Sequence, residues 1–185
     1  MHFDHFGIIS GLYNRMPAFR PTDLLLDFLD LKPHMLMLDA GGGTGRVAFA
    51  LRRYVHRIVI DDISHPMLRY ALDKGLDSTH APVEQLPFAS ESFDRIIMVD
   101  ALHHVLDANK AIDELWRVLS PSGAIVIIEP DIRKYFVKLI AVAEKMLLMR
   151  SHFLSKEKIA TLFSERNIKF NIIEDGYDIW IRINK

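Results

Sequence analysis

Met35-Leu36-Met37-Leu38-Asp39-Ala40-Gly41-Gly42-Gly43-Thr44-Gly45-Arg46 is the stretch whose reading decides the fold. A short apolar run passes into a glycine-rich bend, and residues 44–54 that follow have a helical pattern. Residues without a Cβ let the backbone turn sharply and let a ligand approach it closely, so a strand that enters a helix through such a bend carries a ligand loop.

Outward from this loop the same alternation continues. Residues 34–40, 57–61, 78–84, 93–100 and 124–129 read as strands, separated by helices over 44–54, 65–74 and 108–119. Strands regularly separated by helices imply right-handed crossovers and a parallel sheet. The cores Ile58-Val59-Ile60, Ile96-Ile97-Met98-Val99 and Ile125-Val126-Ile127-Ile128 are apolar without alternation, as expected of strands covered on both faces. Ser64 is placed to cap the helix over 65–74, with Pro66 in its first turn and Gly75 as its stop. Ser120-Pro121-Ser122-Gly123 reads as a turn into the next strand. Beyond Pro130 we expect helices over 131–150 and 156–166, the second capped by Ser155, and a hairpin of 168–174 and 177–183 across Asp175-Gly176. The predicted fold is α/β: a doubly wound, mostly parallel seven-stranded sheet with a C-terminal antiparallel hairpin and helices on both faces.

The chain of 185 residues, half of them hydrophobic and a quarter charged, is the size and composition of one globular domain. We divide it into N-terminal helices over 1–31, a core over 34–130, and further helices with the terminal hairpin over 131–185. Lys and Arg number 23 against 24 Asp and Glu, so the basic excess that drives non-specific nucleic-acid binding is lacking. The absence of Cys removes thiolate metal sites, disulfides and a Cys nucleophile together. Residues 1–10 do not read as a signal peptide, and the apolar stretch at 138–149 is broken by Glu144 and Lys145, short of the ~20 apolar residues of a membrane span. The expected location is cytoplasmic.

Spacing decides among the ligands that glycine loops serve. A P-loop would continue into Gly-Lys-Ser/Thr, but Gly45 is followed by Arg46 and Val47, leaving no lysine for the phosphates. The dinucleotide pattern G-x-G-x-x-G, begun at Gly41, meets Arg46 where its last glycine belongs. No G-x-S-x-G elbow is present, and His103 and His104 are adjacent rather than spaced as metal ligands on one helix face. The spacing that fits is D-x-G-x-G-x-G at Asp39, Gly41, Gly43 and Gly45.

With that loop, from residue 36 to Pro130, the sequence resembles the class I S-adenosylmethionine (SAM)-dependent methyltransferases, especially the methyltransferase-11-like members. Asp62-Ile63-Ser64-His65-Pro66-Met67-Leu68 looks like the family's D-[LI]-S-x-x-M-L segment, Val83 to Phe88 with Ser92-Phe93-Asp94 like its A-E-x-L-P-F and S-F-D stretch, and Ala101 to Val105 like its A-L-H-H-[LV] run. Residues 120–130 look like the L-x-P-G-G...E-P segment.

The resemblance implies that SAM is the cofactor and S-adenosylhomocysteine the product. The backbone at Ala40 and the three alternate glycines would wrap the donor, and Asp39 and Asp100 would face its methionine end. Asp62 would hold the ribose diol, with Asp61 as the one-residue slip alternative, while Ile63 and Met67 would flank adenine. Family members often carry an Asp that accepts from the adenine amino group; here that position is Pro82, which has neither an acceptor side chain nor an N–H, so Val83 backbone or the Glu84 side chain must replace it. His103 is the preferred general base or orienting residue, with His104 behind it. Metal is not expected.

Phe6, Ile9, Tyr13 and Met16 recur at roughly helical spacing and read as a lid, with Tyr13 near the sulfonium. Arg20 is a candidate contact for a carboxylate. Phe136, Leu139, Ile140, Ala143, Met146 and Leu147 form a helical stripe, and the surplus apolar surface beside it reads as a greasy wall for a small, partly apolar acceptor or as the contact of a homodimer. The expected function is methyl transfer to a small molecule by in-line displacement. The alternatives are a SAM-binding regulatory or scaffold protein without turnover and, less favoured, an NAD-dependent enzyme.

Overall fold

The computed structural model describes residues 10–11, 14–15, 17–135, 137–138, 152–166 and 168–185. Its strands are β1 (Leu36–Ala40), β2 (Arg57–Asp61), β3 (Asp77–Thr79), β4 (Phe93–Val99), β5 (Leu119–Pro130), β6 (Phe170–Asp175) and β7 (Asp178–Asn184). They form one seven-stranded sheet in the order β3-β2-β1-β4-β5-β7-β6. The pairs β1–β2, β1–β4, β2–β3 and β4–β5 are parallel, and β7 alone runs antiparallel to both of its neighbours. The order reverses at β1, which lies between β2 and β4, and ligands of open α/β sheets bind beyond the carboxyl ends of strands at such a switch point.

Helices cover both faces, as the unbroken apolar strands require. On one face α1 (Asp23–Leu29), α2 (Arg46–Leu51) and α3 (His65–Asp73) bury Leu25, Leu29, Val47, Ala48, Leu51, Leu68 and Ala71 against Met37, Ile60 and Ile97. On the other, α4 (Ala108–Val118) and α5 (Lys156–Ser164) bury Ala111, Ile112, Leu115, Ile159 and Phe163 against Leu38, Ile96, Ile125 and Ile127. Local chemistry sets the helix ends. The Thr22 hydroxyl accepts from Leu25 N–H at the start of α1, and at its other end the buried Arg95 guanidinium donates to the carbonyls of Leu29 (2.6 Å) and Asp30 (3.3 Å), which no further turn could satisfy. Asp107 caps α4 by accepting from the N–H groups of Asn109 and Lys110, and Ser155 caps α5.

Several predicted elements differ in detail. The strand expected over 78–84 is only Asp77–Thr79; Pro82 starts a 3-10 turn at Val83–Gln85. The helix expected over 44–54 begins at Arg46, because Gly45 is left-handed, and tightens into a 3-10 turn at Arg52–Tyr54. Residues 120–123 are not a turn between elements but a bulge inside β5: Phe93 pairs with Leu119 and Arg95 already with Ala124, with Ser122 at φ 65° taking up the extra length. Ser64 occupies the cap position of α3 without a side-chain cap bond. The terminal hairpin turns at Gly176-Tyr177, one residue later than expected, with φ positive at Gly176 alone as a type II′ turn demands. The lid residues Phe6, Ile9, Tyr13 and Met16 and the stripe from Phe136 to Leu147 lie outside the described residues. Among the described residues no helix is long and apolar enough to cross a membrane.

Candidate functional site

The bend after β1 is held by its neighbour strand. Gly41 and Gly42 N–H both donate to the carbonyl of Asp61 at the end of β2 (2.7 and 3.1 Å), which pulls the chain back across the sheet before α2 begins. Gly41, Gly43 and Gly45 have φ of 69°, 53° and 74°, so the alternate spacing of glycines marks three left-handed positions. Space enforces two of them as well. A Cβ at Gly41 would lie 2.6 Å from that of Ala101, and one at Gly45 would lie 2.7 Å from Leu76.

Carboxylates brace this bend. Asp39 Oδ2 accepts from Ala48 N–H (3.1 Å); its burial, with Asp62 nearby, pushes the carboxyl up to about 7. Asp62 accepts from Gly43 N–H through Oδ2 (2.8 Å) and from Ser64 N–H through Oδ1 (2.7 Å), tying the bend to the start of α3. Adjacent strand residues point to opposite faces, which separates Asp62 from Asp61. Asp62 lines a cavity, whereas Asp61 is fully buried, its oxygens have no well-formed hydrogen bond among the described residues, and desolvation, with Asp62 nearby, pushes it up to about 8.

The cavity, about 170 Å³, opens where β1 and β4 end. Of the expected donor contacts, Asp39, Gly41, Gly43, Asp62, Ile63, Met67, Val83, Glu84 and Asp100 line it. Ala40 and Gly45 do not: Ala40 is buried within the sheet and Gly45 is packed against Leu76 and Ile60. Tyr13 lies outside the described residues. The wall also includes Thr44, Arg46, Ala101, Val105 and Leu106, which the motif reading did not single out. Leu106 and Ile63 are 62% and 53% exposed, large apolar side chains held open to solvent at the cavity rim, as a flat apolar ligand would need. Pro82 is on the wall, and Glu84 Oε1 accepts from Leu106 and Asp107 N–H (2.7 and 3.2 Å), fixing the loop that carries Leu106.

At the other end, Asp100 sits at φ 53°, its N–H held by the Ile128 carbonyl (3.0 Å). The next three residues are organised by Glu129, a buried residue at the end of β5. Its Oε1 accepts from Ala101 and Leu102 N–H (2.9 and 2.7 Å), and Oε2 lies 2.5 Å from His103 Nδ1. Phe153 stacks on the His103 ring at 4.2 Å. His103, first choice as the base, is thus buried against Glu129 and off the cavity wall; its neighbour His104 lines the cavity. Burial, reinforced by His103, pushes His104 down to about 3, so it faces the cavity as a neutral imidazole. Such a weak base is better suited to orienting an acceptor by hydrogen bonding than to taking its proton. Among the described residues no group of three His, Cys, Asp or Glu could hold a metal ion.

The charge of the wall discriminates between ligands. Among the described residues, Asp39, Asp62, Glu84 and Asp100 face one cavity against a single cation, Arg46. A pyrophosphate would be repelled there, whereas a ligand carrying a sulfonium and an ammonium would be attracted. A family model described as a methyltransferase domain matches residues 38–127. The matched residues, just under half of the chain, are thus similar to the methyltransferase domain family. The chain is 33% identical over 115 residues to the ubiquinone/menaquinone biosynthesis C-methyltransferase UbiE of Vibrio vulnificus, covering 56% of this chain and 44% of that protein. It is 39% identical over 98 residues to the demethylmenaquinone methyltransferase of Clavibacter sepedonicus, covering 50% and 40%. The matches thus span less than half the length of these curated relatives. The fold extends further: a SAM-dependent methyltransferase from Thermotoga maritima superposes over 100% of both chains with a TM-score of 0.79 at 22% identity, and one from Aquifex aeolicus over 99% of both with 0.77 at 21%.

Proposed function

We propose that this methyltransferase domain binds SAM in the cavity beside β1 and β4 and transfers its methyl group to a small molecule. The observation that carries the reading is the wall of four carboxyl side chains beside the glycine loop, which fits a net-cationic donor bearing a sulfonium and an ammonium and not a phosphate ester. Asp62 would hold the ribose, Ile63, Met67, Val83 and Leu106 the adenine, and Asp39 and Asp100 the methionine end. Bound SAM supplies a methyl group already activated on sulfur.

The protein's contribution is alignment in a closed site, which by itself can supply a large part of the rate enhancement. Glu129 fixes the backbone of 101–103, and that segment presents His104 to the cavity. The Vibrio vulnificus and Clavibacter sepedonicus relatives are named for quinone biosynthesis, which puts quinol and phenol precursors first among acceptors to try, ahead of amines and carboxylates. The test is incubation with methyl-labelled SAM and such a panel, phosphorylated phenols and alcohols included. Label should appear in at least one acceptor, and His104→Asn should lower kcat by roughly tenfold or more while leaving donor affinity within about twofold. Transfer to none of the panel would count against turnover, and unchanged kcat in the variant would leave His104 as wall only.

A further inference from the structure

A second depression, about 680 Å³, lies between α2 and the segment at Asn14 and Ala18 to Pro21, and Thr44 and Arg46 line both it and the first cavity. Its charge is the opposite. Arg20, Arg46, Arg52, Arg53 and Lys74 line it and, among the described residues, no acidic one does, in a chain whose acids outnumber its bases.

These cations are held by neutral partners. Lys74 Nζ donates to the Thr44 carbonyl (2.7 Å) and to Asn14 Oδ1 (2.9 Å), and Arg52 donates to the Phe49 carbonyl (2.7 Å) with its guanidinium 3.3 Å from the Phe49 ring centre. Arg53 donates to Tyr54 Oη (2.6 Å). Arg20 and Arg46 form no ion pair among the described residues; Arg46 lies 5.9 Å from the Phe19 ring centre. A guanidinium without a carboxylate is a ready partner for an oxyanion, and several in one groove suit a multiply charged one. Phe19, Phe49 and Ala50 supply apolar wall beside them.

We propose that this groove binds the phosphate or diphosphate of a phosphorylated small molecule. Because Arg46 and Thr44 join the two cavities, that molecule is the methyl acceptor, a step that rests on the function proposed above; the anion site itself does not. Cationic donor and anionic acceptor would then be sorted by the field into adjoining sites.

The probe is inorganic pyrophosphate, titrated into the full chain by calorimetry at constant ionic strength, with citrate and a short oligothymidylate in parallel. The expected result is saturable one-to-one binding of pyrophosphate, tighter than citrate. In the doubly charge-reversed variant Arg20→Glu/Arg53→Glu it should weaken by roughly tenfold or more, with SAM affinity within about twofold. Both side chains are exposed, and neither lines the first cavity. No saturable heat, equal affinity in the variant, or citrate bound as tightly would overturn the proposal. Oligothymidylate bound more tightly than pyrophosphate would overturn it in favour of a nucleic-acid face. Failure of SAM to bind, with pyrophosphate binding intact, would instead count against the donor site and the acceptor role.

Discussion

Glu129→Ala should lower the thermal midpoint by on the order of 10 °C, the shift that about 3–5 kcal/mol produces in a chain of this size. One buried carboxylate serves Ala101 N–H, Leu102 N–H and His103 Nδ1, and alanine would strand all three in a place water does not reach. The cost of unpaired buried donors, rather than the net worth of the bonds, sets the magnitude. Glu129→Gln retains one carboxamide oxygen for the two backbone donors and should recover part of the loss. The same segment frames the cavity, so residual turnover should fall further than stability alone explains. Calorimetric melting of the three proteins checks this; a midpoint within about 2 °C of wild type for the alanine variant would mean that the 101–103 segment is held by other contacts.

Asp62→Ala should weaken SAM binding by about 3 kcal/mol, roughly 150-fold. Two losses combine. On the proposed assignment the ribose hydroxyls would lose their acceptor, and the N–H groups of Gly43 and Ser64 lose the carboxylate that holds the bend open at φ 53°. Asp61→Asn is the matched control, because Asp61 contributes to the bend through its backbone carbonyl and its side chain is buried off the wall. It should leave affinity within about twofold. Since the folded state holds the Asp61 carboxyl up to about 8, far above its unfolded value of 3.8, that acid's stability is fully present below about 4 and is lost as pH rises through 8. The asparagine variant should therefore melt higher than wild type at pH 9. An Asp62→Ala affinity within threefold of wild type would remove that residue from the ribose site.

Much of this could be read from the sequence, for identifiable reasons. Unbroken apolar strands report burial on both faces, and the alternate glycines report three left-handed positions, so sheet and loop were both legible. Edges were less so. β3 is three residues long at the rim of the sheet, where few contacts distinguish strand from coil, and Pro82 ends it early. The Ser120–Gly123 segment has turn composition, yet β5 pairs with β4 on both sides of it, at Leu119 and again from Ala124, so it forms a bulge rather than a turn between elements. His103 and His104 could not be ranked by spacing, because they are adjacent and their ring centres lie 3.9 Å apart; only the position of Glu129, 26 residues away, turns His103 inward. Arg46 entered the sequence reading only as a mismatch to phosphate motifs, whereas its place between an acidic cavity and a basic groove emerges from the position of α2 beside Asn14 and Ala18 to Pro21.

The central claim is that the acidic cavity takes a cationic adenosyl donor. Calorimetric titration of the full chain with SAM and, separately, with NAD tests it most directly, at pH 6 and pH 7. Because a bound cation draws Asp39 down from about 7, SAM should bind one site with proton release and about fivefold more weakly at pH 6 than at pH 7, and NAD should give no heat. Saturable binding of NAD with none of SAM at either pH would contradict it.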